Sequence, residues 1–281
     1  MPRATTLSPC AEQVRRHDPD RYLCALFAPA ARREALFALY AFNDEIARTR
    51  EQVSEPMLGM IRLQWWRDAV AAIHDGKPPK HDVAEALAAA VAAGGLDRAE
   101  IDRLIDSREG DLDDEPPADL AALEDYADGT SATLARLAVG ALGGGAGARQ
   151  AAGHVGIAWA LTGLLRAVPF HASAGRLYLP ADLLAAAGVT RGEVLSGRPP
   201  AGLSVVAKQV ADAARVHLDA ARALRGEVPR DALAALLPAT LAARDLARLA
   251  HARHDVFDPG LAASGLGRKL RLVVAAMTGR Y

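Results

Sequence analysis

Cysteine is almost missing from this chain. Cys10 and Cys24 are its only two, with no C-x-x-C spacing, which argues against a disulfide framework or a thiolate metal site. They read as two reduced thiols in a cytosolic protein. Aromatic residues make up only 5%, and β-branched runs are few, so little favours strands. Net charge is −1, so no whole-molecule field draws the protein to nucleic acid or acidic lipid. No long apolar run occurs. The first twenty residues hold no h-region of a signal peptide. The most apolar stretch, Val155 to Leu165, is bounded by His154 and Arg166 and falls short of the roughly 18–20 residues that span a bilayer. The eight histidines show no H-E-x-x-H or other metal spacing, and no G-x-S-x-G elbow appears. The expected location is the cytoplasm, with at most peripheral contact with the inner membrane.

What is present is rich in helix formers. Hydrophobic residues reach 51% and charged residues 24%, enough for a sizeable core, and Ala, Leu and Arg dominate. Neither an internal repeat nor a long linker divides the chain, so residues 1–281 are read as one all-α domain. Pro and Gly punctuation cuts it into about ten helices. These are expected over Asp20–Phe27, Ala30–Arg50, a helix to Asp75 capped by Ser54 with Pro56 in its first turn, and a helix to Arg108 opened by a capping-box pattern at Asp97 and Glu100. Further helices are expected over Asp119–Leu142 (ended by Gly143–Gly147), Arg149–Val168, Leu203–Arg225, Asp245–His254 and Leu266–Thr278. Thr190 and Glu193 form a second capping-box pattern. The tract Asp111, Asp113, Asp114 and Glu115 reads as a solvated acidic loop, since it lacks EF-hand spacing. In "RLQWWRD", Trp65 and Trp66 read as core, while Gln64 and Asp68 share a helical face.

The segment from Arg21 to Arg67, with "ALYAFNDEIARTREQVSEPMLGMIRLQWWRDAV", resembles the N-terminal part of squalene/phytoene synthases. The resemblance continues, in order, through "IDSREGDLDDE", "LEDYADGTSATL" and "ALTGLLRAVPFHASAGRLYLP", and fades after about Val189. It implies a helical isoprenoid-synthase bundle around a central cavity. It also implies two D-x-x-x-D motifs on facing helices, whose i,i+4 carboxylates hold Mg²⁺ against a prenyl diphosphate. Aligning on Tyr40-Ala41-Phe42 places the first motif at Ala47 to Glu51, and aligning on Thr162 to Arg166 places the second at Ala167 to His171. Glu51 alone remains of four carboxylates, and Pro169 is expected to disturb the second helix. The subgroup that this pattern resembles, phytoene-synthase-like assembly factors of respiratory complex I, also lacks the motifs.

The expectation is therefore a catalytically degenerate member with no catalytic residue, no metal ligand and no cofactor. It would bind a protein partner, or a prenyl diphosphate or other anionic lipid-like ligand. The alternative is an active head-to-head prenyl transferase that uses Mg²⁺. The candidate ligand-binding residues are Arg48, Glu51, Gln64, Asp68, Arg166, His171, Arg176 and Tyr178, the last two from a segment that resembles the diphosphate end of the family cavity. Two readings of the basic residues stay open. Asp44 or Glu45 pairs with Arg48 internally, or guanidinium forks grip a phosphate or carboxylate directly. For Arg176 and Tyr178 the competing reading is loop packing.

Overall fold

The computed structural model describes residues 7–198, 200–262 and 266–281. Helices α1 (Pro9–His17) and α2 (Pro19–Ala25) open the chain, each with a proline in its first turn, where no hydrogen bond is lost. Ser8 caps α1 by accepting from the Ala11 N–H, and Asp18 caps α2 by accepting from the Arg21 N–H. α1 lies outside the predicted set because only Cys10, Ala11 and Val14 of its charged sequence turn inward. The helix predicted over Ala30–Arg50 is α3 (Arg33–Ala47) and a single turn, α4 (Thr49–Gln52), broken at Arg48. α5 (Pro56–His74) starts from Glu55, not Ser54, and has no side-chain cap. α6 (Asp82–Ala92) was not anticipated; its alanines mask the stripe of Val83, Ala84, Leu87 and Ala90 that it buries. α7 (Arg98–Asp106) is capped by Asp97, whose carboxylate accepts from the Glu100 N–H at 3.3 Å. Glu100 leaves the capping box unclosed and pairs instead with Arg149 at 2.5 Å and Arg136 at 3.4 Å.

The stretch predicted as one helix over Asp119–Leu142 is α8 (Leu120–Ala127) and α9 (Thr133–Ala141), joined by a π turn over Asp128–Ala132. α10 (Ala146–Arg166) is followed after one residue by α11 (Val168–Ser173), which carries Pro169 in its first turn. The proline has the effect expected of it: it ends one helix and starts another. α12 (Ala181–Ala186) and α13 (Arg191–Leu195) are short, and the Thr190–Glu193 capping box closes on α13 in both directions. α14 (Leu203–Ala223) and α15 (Pro238–His251) follow. α15 begins seven residues before the predicted Asp245, with Pro238 as a first-turn residue rather than a boundary. α16 (Leu266–Thr278) has the limits read from sequence.

α10 is the hub of the bundle, packed by α14, α9, α15 and the π turn. Small residues set that spacing: a Cβ at Gly156 would collide with the backbone of Ala132 in the π turn. Around this hub Leu36, Leu39, Phe42, Ile46 and Trp66 are fully buried. Trp65, expected in the core, is 41% exposed: one position along α5 from Trp66, it lies at the surface with its ring edge-on to the buried Trp66 at 4.9 Å. Between α3 and α10, the Arg21 guanidinium lies 5.9 Å from the ring centroids of both Tyr40 and Trp159. It donates to Ser131 of the π turn and pairs with Asp18 at 2.7 Å, so a cation stands between α3, α10 and the π turn.

Candidate functional site

The break at Arg48 fixes the chemistry of the first motif position. One turn earlier α3 presents Asp44 and Glu45, and both carboxylates are already engaged. Asp44 Oδ2 accepts from Gln13 Nε2 at 2.8 Å, lies 2.7 Å from His17 Nδ1 and 3.9 Å from Arg48. Glu45 accepts from Gln13 at 3.1 Å and pairs with Arg62 at 2.6 Å. Glu51 pairs with Arg48 at 3.5 Å, and Arg48 Nη1 also touches His17 at 3.0 Å. Internal pairing of Arg48 with Asp44 is thus realised, and α1, absent from the sequence reading, supplies Gln13 and His17.

The expected second motif position has Ala167 at the helix break itself and His171 within α11. Arg166, the last residue of α10, pairs with Asp245 of α15 at 2.9 Å. Asp245 is 3% exposed and also binds Arg244 at 3.0 Å and Arg268 at 3.1 Å. Arg268 in turn pairs with Asp20 of α2. Three guanidiniums and two carboxylates from α2, α10, α15 and α16 form one network. Its acids were missed in the sequence, although Asp245 stands at i+4 from Leu241 and i−4 from Leu249, an acid on an apolar stripe, which is the pattern of a buried charge.

A third cluster centres on Asp111. It is buried, contrary to its reading as part of a solvated loop, while Asp113, Asp114 and Glu115 are exposed as expected. Tyr126 Oη donates to Asp111 at 2.6 Å and Tyr178 Oη at 3.3 Å, and Arg108 pairs with it at 3.2 Å. Arg108 also donates to Asn43 of α3 at 3.2 Å. The His171 ring lies 4.7 Å from Tyr178. Burial, reinforced by the Arg176 charge, lowers its pKa to about 4, with Asp111 opposing. Burial and then Asp111 push the Tyr178 hydroxyl up to about 12. Arg176 and Tyr178 line a cavity of about 250 Å³ whose wall also holds Asp113, Asp114 and Glu115, a poor setting for a diphosphate.

The eight candidate residues therefore fall in four places. Arg48 and Glu51 pair with each other on α3 and α4. Gln64 donates to Asp68 at 2.9 Å on an exposed face of α5. Arg166 belongs to the Asp245 network, and His171, Arg176 and Tyr178 surround Asp111. Arg48 and Arg166 have different acidic partners: Asp44 and Glu51 for the first, Asp245 for the second.

Mg²⁺ bridging a diphosphate needs several carboxylate oxygens that are free to coordinate. The donor set at the two motif positions does not fit such ions: Ala47, Ala167 and His171 offer no carboxylate, and Glu51, Asp44 and Glu45 bind cations of the protein itself. Among the described residues no group of three or more His, Cys, Asp or Glu is arranged to hold a metal.

The squalene/phytoene synthase family model matches residues 14–271. The chain belongs to the squalene/phytoene synthase family. It is 35% identical over 274 residues to the NADH dehydrogenase (ubiquinone) complex I assembly factor 6 of Bos taurus, covering 97% of this chain and 82% of that protein. It is 33% identical over 235 residues to a presqualene diphosphate synthase of Rhodopseudomonas palustris, covering 80% and 81%. Its fold matches the crystal structure of a dehydrosqualene synthase in complex with ligand, with a TM-score of 0.82 at 17% identity over 96% of this chain and 94% of that one. The fold is therefore the all-α isoprenoid-synthase bundle. Identities of 35% and 33% to a factor and to a synthase do not separate the two roles; the donor groups at the site have to.

Proposed function

We propose that this chain is a family member without prenyl-transfer activity that serves the assembly of a respiratory NADH dehydrogenase through binding, and that it needs no Mg²⁺. One observation carries the reading. The carboxylates nearest the expected metal positions are already engaged, by hydrogen bonds from Gln13, contact with His17 and ion pairs with Arg48 and Arg62, and the opposite position carries an alanine and a histidine. Freeing Asp44 and Glu45 for a metal would take Arg62 from its carboxylate partner and break the hydrogen bonds of Gln13, so the metal would have to displace contacts that are already made. The assembly role draws support from the relatives named complex I assembly factor 6, which the chain matches over nearly its whole length. The active-transferase reading rests on the presqualene diphosphate synthase similarity.

Two measurements together test the proposal. Purified protein with Mg²⁺ and farnesyl or geranylgeranyl diphosphate should form no presqualene diphosphate, squalene or phytoene above a heat-inactivated control. Deletion in the host should lower the amount of assembled NADH dehydrogenase on native gels, and the parent chain should restore it. Turnover in the first assay refutes the loss of catalysis, and unchanged enzyme levels in the second refute the assembly role.

A further inference from the structure

The C-terminal helix exposes an unusual surface. α16 is held to the bundle by Arg268, Leu272 and Ala275, all buried, with Tyr281 below it donating to the Ala221 carbonyl at 3.1 Å. Its opposite side carries Leu270, Val273, Val274 and Met277, exposed at 65%, 39%, 52% and 70%. Spacings of three, four and seven residues place these four on one stripe about 100° wide. Lys269 and Arg271 stand one residue either side of Leu270, so they flank the stripe on its two edges, each turned about 100° from it. Residues 266–281 contain three arginines and one lysine and no acid, in a chain whose net charge is −1. The positive charge is therefore local to this helix.

A cavity of about 660 Å³ adjoins the same helix between α14, α15 and α16. Arg271 belongs both to the flank of the stripe and to the cavity wall, which also contains Arg222, Arg244 and Arg280 and a single acidic side chain, Asp258. Arg244 pairs with Asp245, and Arg222 with Asp219 and the Tyr281 carbonyl. Arg271 and Arg280 are exposed and, among the described residues, make no hydrogen bond or ion pair.

We infer that α16 is a docking surface for a membrane containing anionic phospholipid, with Leu270, Val273, Val274 and Met277 entering the acyl boundary and Arg271 and Arg280 receiving lipid phosphate. A narrow apolar stripe with cations on both edges matches the layering of a bilayer surface, where apolar tips sink below the headgroups and basic stems reach back to phosphate. A protein groove closing over the same stripe would instead need acids to face Lys269 and Arg271. No helix of the described residues is long and apolar enough to cross a membrane, so α16 would lie along the surface. This surface is separate from the residues that carry the assembly proposal, and its test returns an answer whatever the synthase and native-gel assays show.

The experiment is flotation of the full chain with vesicles of phosphatidylcholine alone or mixed with phosphatidylglycerol. The protein should float with the anionic vesicles, dissociate as salt rises, and ignore phosphatidylcholine. Val274→Glu with Met277→Glu should lower the bound fraction about tenfold or more. Arg271→Glu with Arg280→Glu should lower binding to anionic vesicles alone. These side chains are exposed, so the variants should melt like the parent. Met57→Glu, on an exposed apolar site of α5, should bind as the parent does. Equal flotation with both vesicle types, unchanged flotation of the Val274/Met277 variant, or an equal loss in Met57→Glu overturns the assignment. So does binding of inorganic phosphate, read as a rise in melting temperature, without any vesicle binding.

Discussion

Replacing Asp245 with asparagine tests whether the ionic network joining four helices holds the bundle together. The substitution keeps the shape and removes one charge that answers three guanidiniums. Their environments set the magnitude. The side chain of Arg268 is 8% exposed but keeps Asp20; that of Arg244 is 15% exposed and loses its carboxylate partner; that of Arg166 is 32% exposed and can turn to water. Removing one member of a buried ion pair costs roughly 3–5 kcal/mol, and the partners left to Arg268 and Arg166 place this case near the lower end, about 3 kcal/mol. For a chain of this length that is a fall in melting temperature of about 6–12 °C. Arg166→Met, which leaves Asp245 with two arginines, should cost about 1 kcal/mol or less. Urea unfolding followed by far-UV circular dichroism near neutral pH gives both values, provided the two variants share the parent's m-value. Hydrogen exchange should show α16 losing protection first in Asp245→Asn, because Arg268 is its tie to α15 and α2. A loss below 1 kcal/mol for Asp245→Asn, or an equal loss for Arg166→Met, would refute the network as the clasp of the fold.

Two further outcomes follow from packing and protonation. Gly156→Ala and Gly163→Ala both raise helix propensity in α10, but only the first places its Cβ against backbone, at Ala132. Gly163→Ala should stabilise by about 0.5–1 kcal/mol and Gly156→Ala should destabilise by about 1–3 kcal/mol; equal signs in thermal unfolding would contradict the close approach of α10 to the π turn. His171, with its pKa lowered to about 4 by burial and then Arg176, is neutral in the fold, while the unfolded chain takes up a proton near pH 6.5. Its stabilising contribution is thus complete above about pH 6.5 and is lost as pH falls from there toward about 4. His171→Gln should make stability between pH 7 and 5 less steep by no more than about 2 kcal/mol, and identical pH profiles would place the ring in solvent.

What the sequence determined by itself is local. Helix content, the capping box at Thr190 and Glu193, the limits of α16 and the break at Pro169 each depend on residues within about one turn, where propensity and orphan N–H groups decide. The same local logic misjudged α1 and α6, whose stability comes from three or four small side chains meeting a surface supplied by distant chain. The residues at the expected motif positions, Ala47, Glu51, Ala167 and His171, are likewise read directly from the sequence. Tertiary structure decided what the remaining charges do. Asp111 becomes the buried acceptor of two tyrosines from remote segments, Arg21 lies between rings on α3 and α10, and Asp245 gathers arginines from three helices. A charge in a sequence carries no sign of its partner, since the pair is chosen by which faces the core brings together and by the cost of leaving either group unpaired there.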